Sequence, residues 1–215
     1  MQTAEPNRVP WFQVSALMQT LGLSDSTPRS ESRLKSLFWP TIRNEVDLDT
    51  VTTQGFWICW LVGLIGLAMS IVGGFSSLFF GLAGAFESVF YLLAGIGVRM
   101  RSRVAAVSAF AAYLLSGIVL QKYTHNGFGL PRILFLALLL ANVRGIQQSA
   151  SWPKPEPGDA PVRLDETLRD KLVDQLPAFL WPKARILFYV LATVELLLLL
   201  LQLLPLRPSA GGALS

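Results

Sequence analysis

Long stretches of this sequence carry almost no charge, and that feature constrains the fold more than any other. Residues 55–98 contain one charged side chain, Glu87, and residues 104–121 contain none. Across the whole chain 15% of residues are charged, whereas globular domains average about 25%. Apolar runs of about 18 residues or more are long enough to cross a bilayer as a helix. The sequence therefore predicts an all-α, multi-pass transmembrane helical bundle.

Hydropathy and the residues that interrupt it predict about five spans. A single helix over residues 55–98 would be about 66 Å long, at about 1.5 Å per residue, which is roughly twice the bilayer core. The Gly-Gly-Phe-Ser-Ser segment therefore predicts a helical hairpin. Within the fourth span Arg132 and Arg144 lie only about 18 Å of helix apart, and we expect snorkelling of both arginines towards the membrane surfaces to extend its reach. The predicted spans are 55–73, 77–98, 104–120, 131–147 and 184–204.

Polar segments flank and interrupt this bundle. The predicted regions are a cytoplasmic N-terminal region (1–54), the transmembrane bundle (55–205) with a cytoplasmic loop (148–183), and a tail (206–215). Apolar residues at helical spacing predict short cytoplasmic amphipathic helices, one near residues 14–21 and one over 164–176 that ends before Pro177. Because the first 50 residues are largely polar, we expect the first span itself to act as the insertion signal.

The distribution of lysine and arginine predicts the orientation. With five spans, 15 of the 18 basic residues lie on the cytoplasmic side, whereas four spans would split them 9 to 9. Membrane proteins place an excess of basic residues in their cytoplasmic loops. The sequence therefore predicts five spans in a cell membrane, with the N-terminus in the cytoplasm. The absence of a recognisable targeting segment suits a bacterial inner membrane.

Glu87 and Glu195 are the residues best able to carry chemistry. Glu87 precedes Arg99 by about 18 Å of helix, and Glu195 follows Arg185 by about 15 Å. Both carboxyl groups are therefore expected near mid-membrane, where a charge costs at least about 2.5 kcal/mol. If they are close together they could not both ionise easily, and they could share a proton or hold a cation. Tyr91, one turn from Glu87, is placed to form a hydrogen bond with it. The alternative is a protonated Glu that serves helix packing alone.

Aromatic and basic residues at the predicted span ends are interpreted as interfacial anchors. A Trp-Pro-x-x-Arg pattern occurs at 39–43 and again at 181–185, and Trp and Arg both favour headgroup depth. The basic turn at 99–103 needs no role beyond fixing the topology, with anionic lipid as a modest extension. The predicted anchors are Trp39, Arg43, Arg99, Arg101, Arg103, Trp181 and Arg185.

Small residues recur at intervals of four in the first three spans. Such rows let helix backbones approach closely in lipid. We therefore expect the first three spans to pack against one another, and the leucine-rich fourth and fifth spans to face lipid or form the rim.

The sequence offers no catalytic constellation, metal set or nucleotide fingerprint. It has one cysteine, Cys59, and one histidine, His125, and neither residue can build a metal cluster alone. We therefore expect no enzyme activity, cofactor, metal or nucleic-acid partner. The main prediction is a non-enzymatic accessory or scaffold subunit with a membrane-protein partner or a homo-oligomer, in contact with the lipid bilayer. The alternative is a small proton- or cation-coupled carrier or channel that uses Glu87 and Glu195.

Overall fold

Every regular element in the part of the chain that the structure describes is helical. The computed structural model describes residues 42, 45–124, 128–151 and 171–204. Five of its helices are long and apolar enough to cross a membrane, which confirms the predicted all-α, multi-pass bundle. The helices are α1 (Glu45–Ser76), α2 (Leu78–Arg99), α3 (Arg103–Thr124), α4 (Leu130–Ser149) and α5 (Leu176–Leu203), with a π-helical turn (Lys171–Gln175) directly before α5.

Helices α1 and α2 form a tight hairpin. A single extended residue, Ser77, separates them. Beyond this turn the backbones come so close that a Cβ on Gly81 would lie 2.8 Å from the Cα of Gly74. The hydroxyl of Ser70 donates a hydrogen bond to the carbonyl of Gly81 across the same contact. This is the close approach that the rows of small residues predict for the first two spans.

Helix α2 lies at the centre of the bundle, where it packs against α1, α3 and α5. Its buried face includes Phe90, and the Phe90 ring stacks on Phe188 of α5 with centroids 5.8 Å apart. Alanines of α3, including Ala105, Ala109 and Ala112, are buried in the same core. Because these side chains are small, α3 can approach the aromatic residues of α2 and α5 closely.

Helix α4 packs against α1 and α3 and exposes several large apolar side chains, among them Leu130, Ile133 and Leu140, as expected of a helix at the rim. The buried Asn142 side chain donates a hydrogen bond from Nδ2 to the Val51 carbonyl of α1 over 3.0 Å. Gly55 leaves the space that this amide fills, because a Cβ at Gly55 would overlap Asn142. A polar side chain thus joins two helices within a leucine-rich span.

Helices α1 and α5 are longer than the predicted spans. α1 begins at Glu45 rather than near Gly55 and has 32 residues, or about 48 Å against a bilayer core of about 30 Å. Acidic residues in its first turn favour the positive end of the helix dipole. The predicted helix end before Pro177 is wrong, because the chain stays helical from the π-helical turn through Pro177, which stands in the first turn of α5. The rest of the amphipathic helix predicted for 164–176 and the one near 14–21 lie outside the described residues.

Candidate functional site: a polar cavity inside the bundle

A cavity of about 250 Å³ lies among α1, α2, α3 and α4. Glu87 of α2 is half-buried and forms part of its wall. Apolar side chains surround the few polar groups, which is the usual composition of a small-molecule site. The lining residues are Val62, Ile65, Gly66, Glu87, Ser88, Tyr91, Tyr113, Arg132 and Phe135.

Arg132 brings a positive charge into this cavity. Its guanidinium lies over the Tyr113 ring, with Cζ 5.0 Å from the ring centroid. Its Nη2 also lies 3.4 Å from the Ser116 hydroxyl oxygen, to which it donates. The guanidinium is close enough for its charge to act on the Glu87 carboxylate. The expectation that Arg132 snorkels towards the membrane surface is therefore wrong.

Gly117 explains why the Arg132 side chain can turn inwards. A Cβ at residue 117 would lie 3.1 Å from Nη1 of Arg132 and 3.2 Å from its Cδ. With no side chain at Gly117, the arginine passes along α3 and reaches the face of Tyr113. There it gains a cation–π contact, which is stronger when the partners are desolvated.

The second predicted carboxylate approaches the same region from α5. Glu195 is buried, with 6% of its surface exposed. It is close enough to Glu87 for the charge on one carboxylate to act on the other. Both carboxylates also lie within electrostatic reach of Tyr91. The structure thus brings together the three residues that the sequence singled out, from α2 and α5.

Tyr91 contributes a hydroxyl group whose hydrogen-bonding capacity is unused. Its side chain is 1% exposed, and its ring meets the Tyr113 ring edge to face at 6.3 Å. Among the described residues, Tyr91 Oη has no hydrogen-bond partner. The expected bond to Glu87 is therefore not formed, and Ser116 is a neighbour of the hydroxyl without well-formed bond geometry. A buried hydroxyl without a partner is costly.

The residues predicted as interfacial anchors differ in how far they are exposed. Trp39 and Arg43 lie outside the described residues. Arg103 is exposed at the start of α3, and Arg185 is exposed on α5. Trp181 is half-buried and packs against Phe188, with ring centroids 5.5 Å apart.

Arg99 is embedded in the protein rather than extended into solvent. Its side chain is 9% exposed and forms ion pairs with Asp49 of α1 and with Asp174 of the π-helical turn, the first at 2.6 Å. It also donates to the Thr52 hydroxyl at 3.0 Å and to the Val173 carbonyl at 3.1 Å. We call these five residues the Arg99 cluster. It joins α1, α2 and the start of α5 at one end of the bundle.

Arg101 makes a more exposed ion pair with Glu45, at 3.2 Å, at the same end of the bundle. Sequence reasoning treated the basic turn as a surface feature and did not predict the Arg99 cluster. The available signal was the presence of acidic residues just before the predicted first span and between Leu172 and Leu176, at the same end as the arginines.

Sequence reasoning also did not identify Arg132, Tyr113 or Ser116 as site residues. The signal for Arg132 was its position, because it is one of only 3 basic residues on the predicted outer side. In the described ranges, no three His, Cys, Asp or Glu side chains lie together as a metal site would require. No protein-family model matches the chain, and comparisons with curated proteins and with solved structures found no significant similarity.

Proposed function

We propose that this integral membrane protein is a small proton-coupled carrier. The observation that carries the proposal is that Glu87 forms part of the wall of a cavity while Glu195, buried on α5, lies within electrostatic reach of it. Intramembrane carboxylates that face a bundle interior are characteristic of proton relays and substrate pathways. The proposal favours the carrier alternative over the accessory role.

The charges around the cavity favour a proton over a metal cation. Arg132 acts on Glu87, and the charge that acts on Glu195 within the described part is that of Glu87. Two ionised carboxylates and one guanidinium leave one net negative charge, which is unfavourable in a low-dielectric region. A single proton on one carboxyl group makes this set of three side chains neutral. A divalent metal ion would be repelled by the guanidinium and would have few ligands.

Coupling between solute binding and proton binding follows from the need to keep Glu87, Arg132 and Glu195 neutral as a set. A solute that brings charged groups between Glu87 and Arg132, even with no net charge, replaces their mutual interaction and so changes the field at Glu195. Its binding and the binding of a proton therefore affect each other. A carrier requires this kind of linkage between solute and proton. Glu195 is the proton site in this scheme, because its neighbouring charge is negative and its side chain is buried.

Carbodiimide labelling tests the proton site, since the reagent modifies protonated carboxyl groups in apolar surroundings. We expect Glu195 to be labelled in liposomes at acidic pH and to lose label as the pH rises. In Glu87→Gln one negative neighbour is removed, so the loss of label should move to more acidic pH. Mass spectrometry of the labelled peptide measures both effects.

Thr193→Ala is the matched control for the labelling experiment. Thr193 lies on α5 near Glu195, is exposed, and bonds to the Tyr189 carbonyl of its own helix. This variant should label like the unmodified protein. Labelling of Glu195 that is constant over the whole pH range and indifferent to Glu87→Gln would contradict the proposal and assign both residues to packing.

The accessory or scaffold role is a second candidate, and the outer half of the α1–α2 hairpin favours it. Among the described side chains of residues 64–86, Ser70 alone is buried. This half presents large apolar side chains, including Met69, Phe75 and Phe79, which can contact lipid or another membrane helix. Native mass spectrometry from nanodiscs should give a dimer or hetero-complex if this role holds, and a monomer if it does not.

The proposed location is a bacterial inner membrane, with the Arg99 cluster at the cytoplasmic face and the N-terminus inside. The excess of basic residues at that end supports this orientation. Phosphatase and fluorescent-protein fusions after Thr124 and after Ser151 test it. Phosphatase activity at the first site and fluorescence at the second are expected, and the reverse pattern would overturn the orientation.

A further inference from the structure

We propose that the cavity beside Glu87 and Arg132 binds a small zwitterion that carries one ammonium and one carboxylate group, as a short amino acid does. The inference rests on the proposed carrier function and names the class of solute that it would carry. It follows from the size of the cavity and the two opposite charges in its wall.

The cavity volume sets the size of the solute. A volume of about 250 Å³ corresponds to about eight water molecules at roughly 30 Å³ each. The solute therefore has about eight non-hydrogen atoms or fewer. Phe135, Val62 and Ile65 supply apolar walls, which suit a short aliphatic side chain.

One part of the cavity suits a carboxylate. Arg132 offers a planar set of N–H donors that matches the two oxygens of a carboxylate. The Ser116 hydroxyl lies beside the guanidinium, which donates to it. An anionic group placed in the cavity near Arg132 would accept hydrogen bonds from the guanidinium.

Glu87 suits the ammonium group of the same solute. It lines the cavity and interacts electrostatically with Arg132, so the two charges compensate each other without a solute. A zwitterion between them replaces this interaction with two charge-assisted contacts and adds no net charge to the bundle. A solute with only one charge would leave either Glu87 or Arg132 uncompensated in a low-dielectric region, which is costly.

Thermal unfolding of the purified protein in detergent, with three matched probes, tests this inference. Alanine carries both charges, propionate lacks the ammonium group, and ethylamine lacks the carboxylate. We expect alanine at millimolar concentration to raise the unfolding temperature, and the other two to bind at least about tenfold more weakly. Because the comparison is made on the unmodified protein, it does not depend on whether a variant folds.

Variants then assign the binding to this cavity. Arg132→Gln should abolish the alanine effect, whereas Thr193→Ala, on the far side of Glu195, should keep it. Equal shifts with all three probes, no shift with alanine, or alanine binding that survives Arg132→Gln would each overturn the inference. Labelling of Glu195 is measured without solute, so the expected loss of label with rising pH can be observed even if alanine does not bind. That result would reject the zwitterion site alone. Alanine binding without a pH-dependent loss of label would reject the carrier and retain the site.

Discussion

Replacing Arg99 with methionine should lower the free energy of unfolding by about 2–3 kcal/mol. Removing one partner of a buried ion pair typically costs about 3–5 kcal/mol. The lower value is expected because the acidic partners are partly exposed, Asp49 to 43% and Asp174 to 34% of the side chain, and solvent screens such groups. Denaturation by SDS titration in mixed micelles measures the change.

Two variants complete the test of the Arg99 cluster. Arg99→Lys should recover only part of the stability, because one ammonium group cannot reach acceptors on α1 and before α5 at the same time as a guanidinium does. Arg185→Met, an exposed arginine on α5, should change stability by less than about 0.5 kcal/mol. If Arg99→Met were as stable as Arg185→Met, the cluster would contribute nothing to the fold.

Replacing Gly81 with alanine should destabilise the α1–α2 hairpin by about 1–3 kcal/mol. The added Cβ would lie 2.8 Å from the Gly74 Cα and 3.3 Å from the Ser70 carbonyl oxygen. These are backbone atoms that cannot rotate away, so the two helices must separate. The same SDS titration measures the loss of free energy.

The same substitution on the other helix of this contact, Gly74→Ala, is the matched control. A Cβ at Gly74 would meet the Gly81 Cα at 3.7 Å, which is an ordinary van der Waals distance. Gly74→Ala should therefore be neutral, or stabilising by up to about 1 kcal/mol because alanine favours a helix over glycine. Equal losses for the two variants would mean that the shorter distance between the added Cβ and the facing backbone at Gly81 does not determine the result, because helix propensity alone predicts a gain at both positions.

The number of spans could be predicted from the sequence because the free-energy cost of a charged side chain in a bilayer depends on that residue's own position along the chain. A run without charged residues identifies a span wherever it occurs, and the excess of basic residues selected five spans over four. The start of α1 could not be found in this way. Its first residues include Glu45, Asp47 and Asp49, which hydropathy excludes from a span, although Arg101 and Arg99 pair with two of them in the folded chain.

The cavity also depends on contacts between helices that the local sequence could not predict. Glu87 was identified from its depth alone, because a carboxylate within an apolar run is unusual. The inward turn of Arg132 depends on Tyr113, Ser116 and Gly117 of a different helix, so the local sequence of α4 gives the opposite expectation. The position of a charged side chain near a helix end is set by the neighbouring helix.

The order of the helices along the chain has a consequence for biosynthesis. Arg132 arrives with α4, before Glu195 arrives with α5. A nascent bundle of four helices therefore already holds Glu87 beside its counter-charge and is electrically balanced at that point. The unmatched carboxylate enters with the last helix, after the N-terminal helices have been synthesised. We expect a truncated chain that ends before α5 to insert into the membrane. Such a chain would have no buried carboxylate that a proton must neutralise.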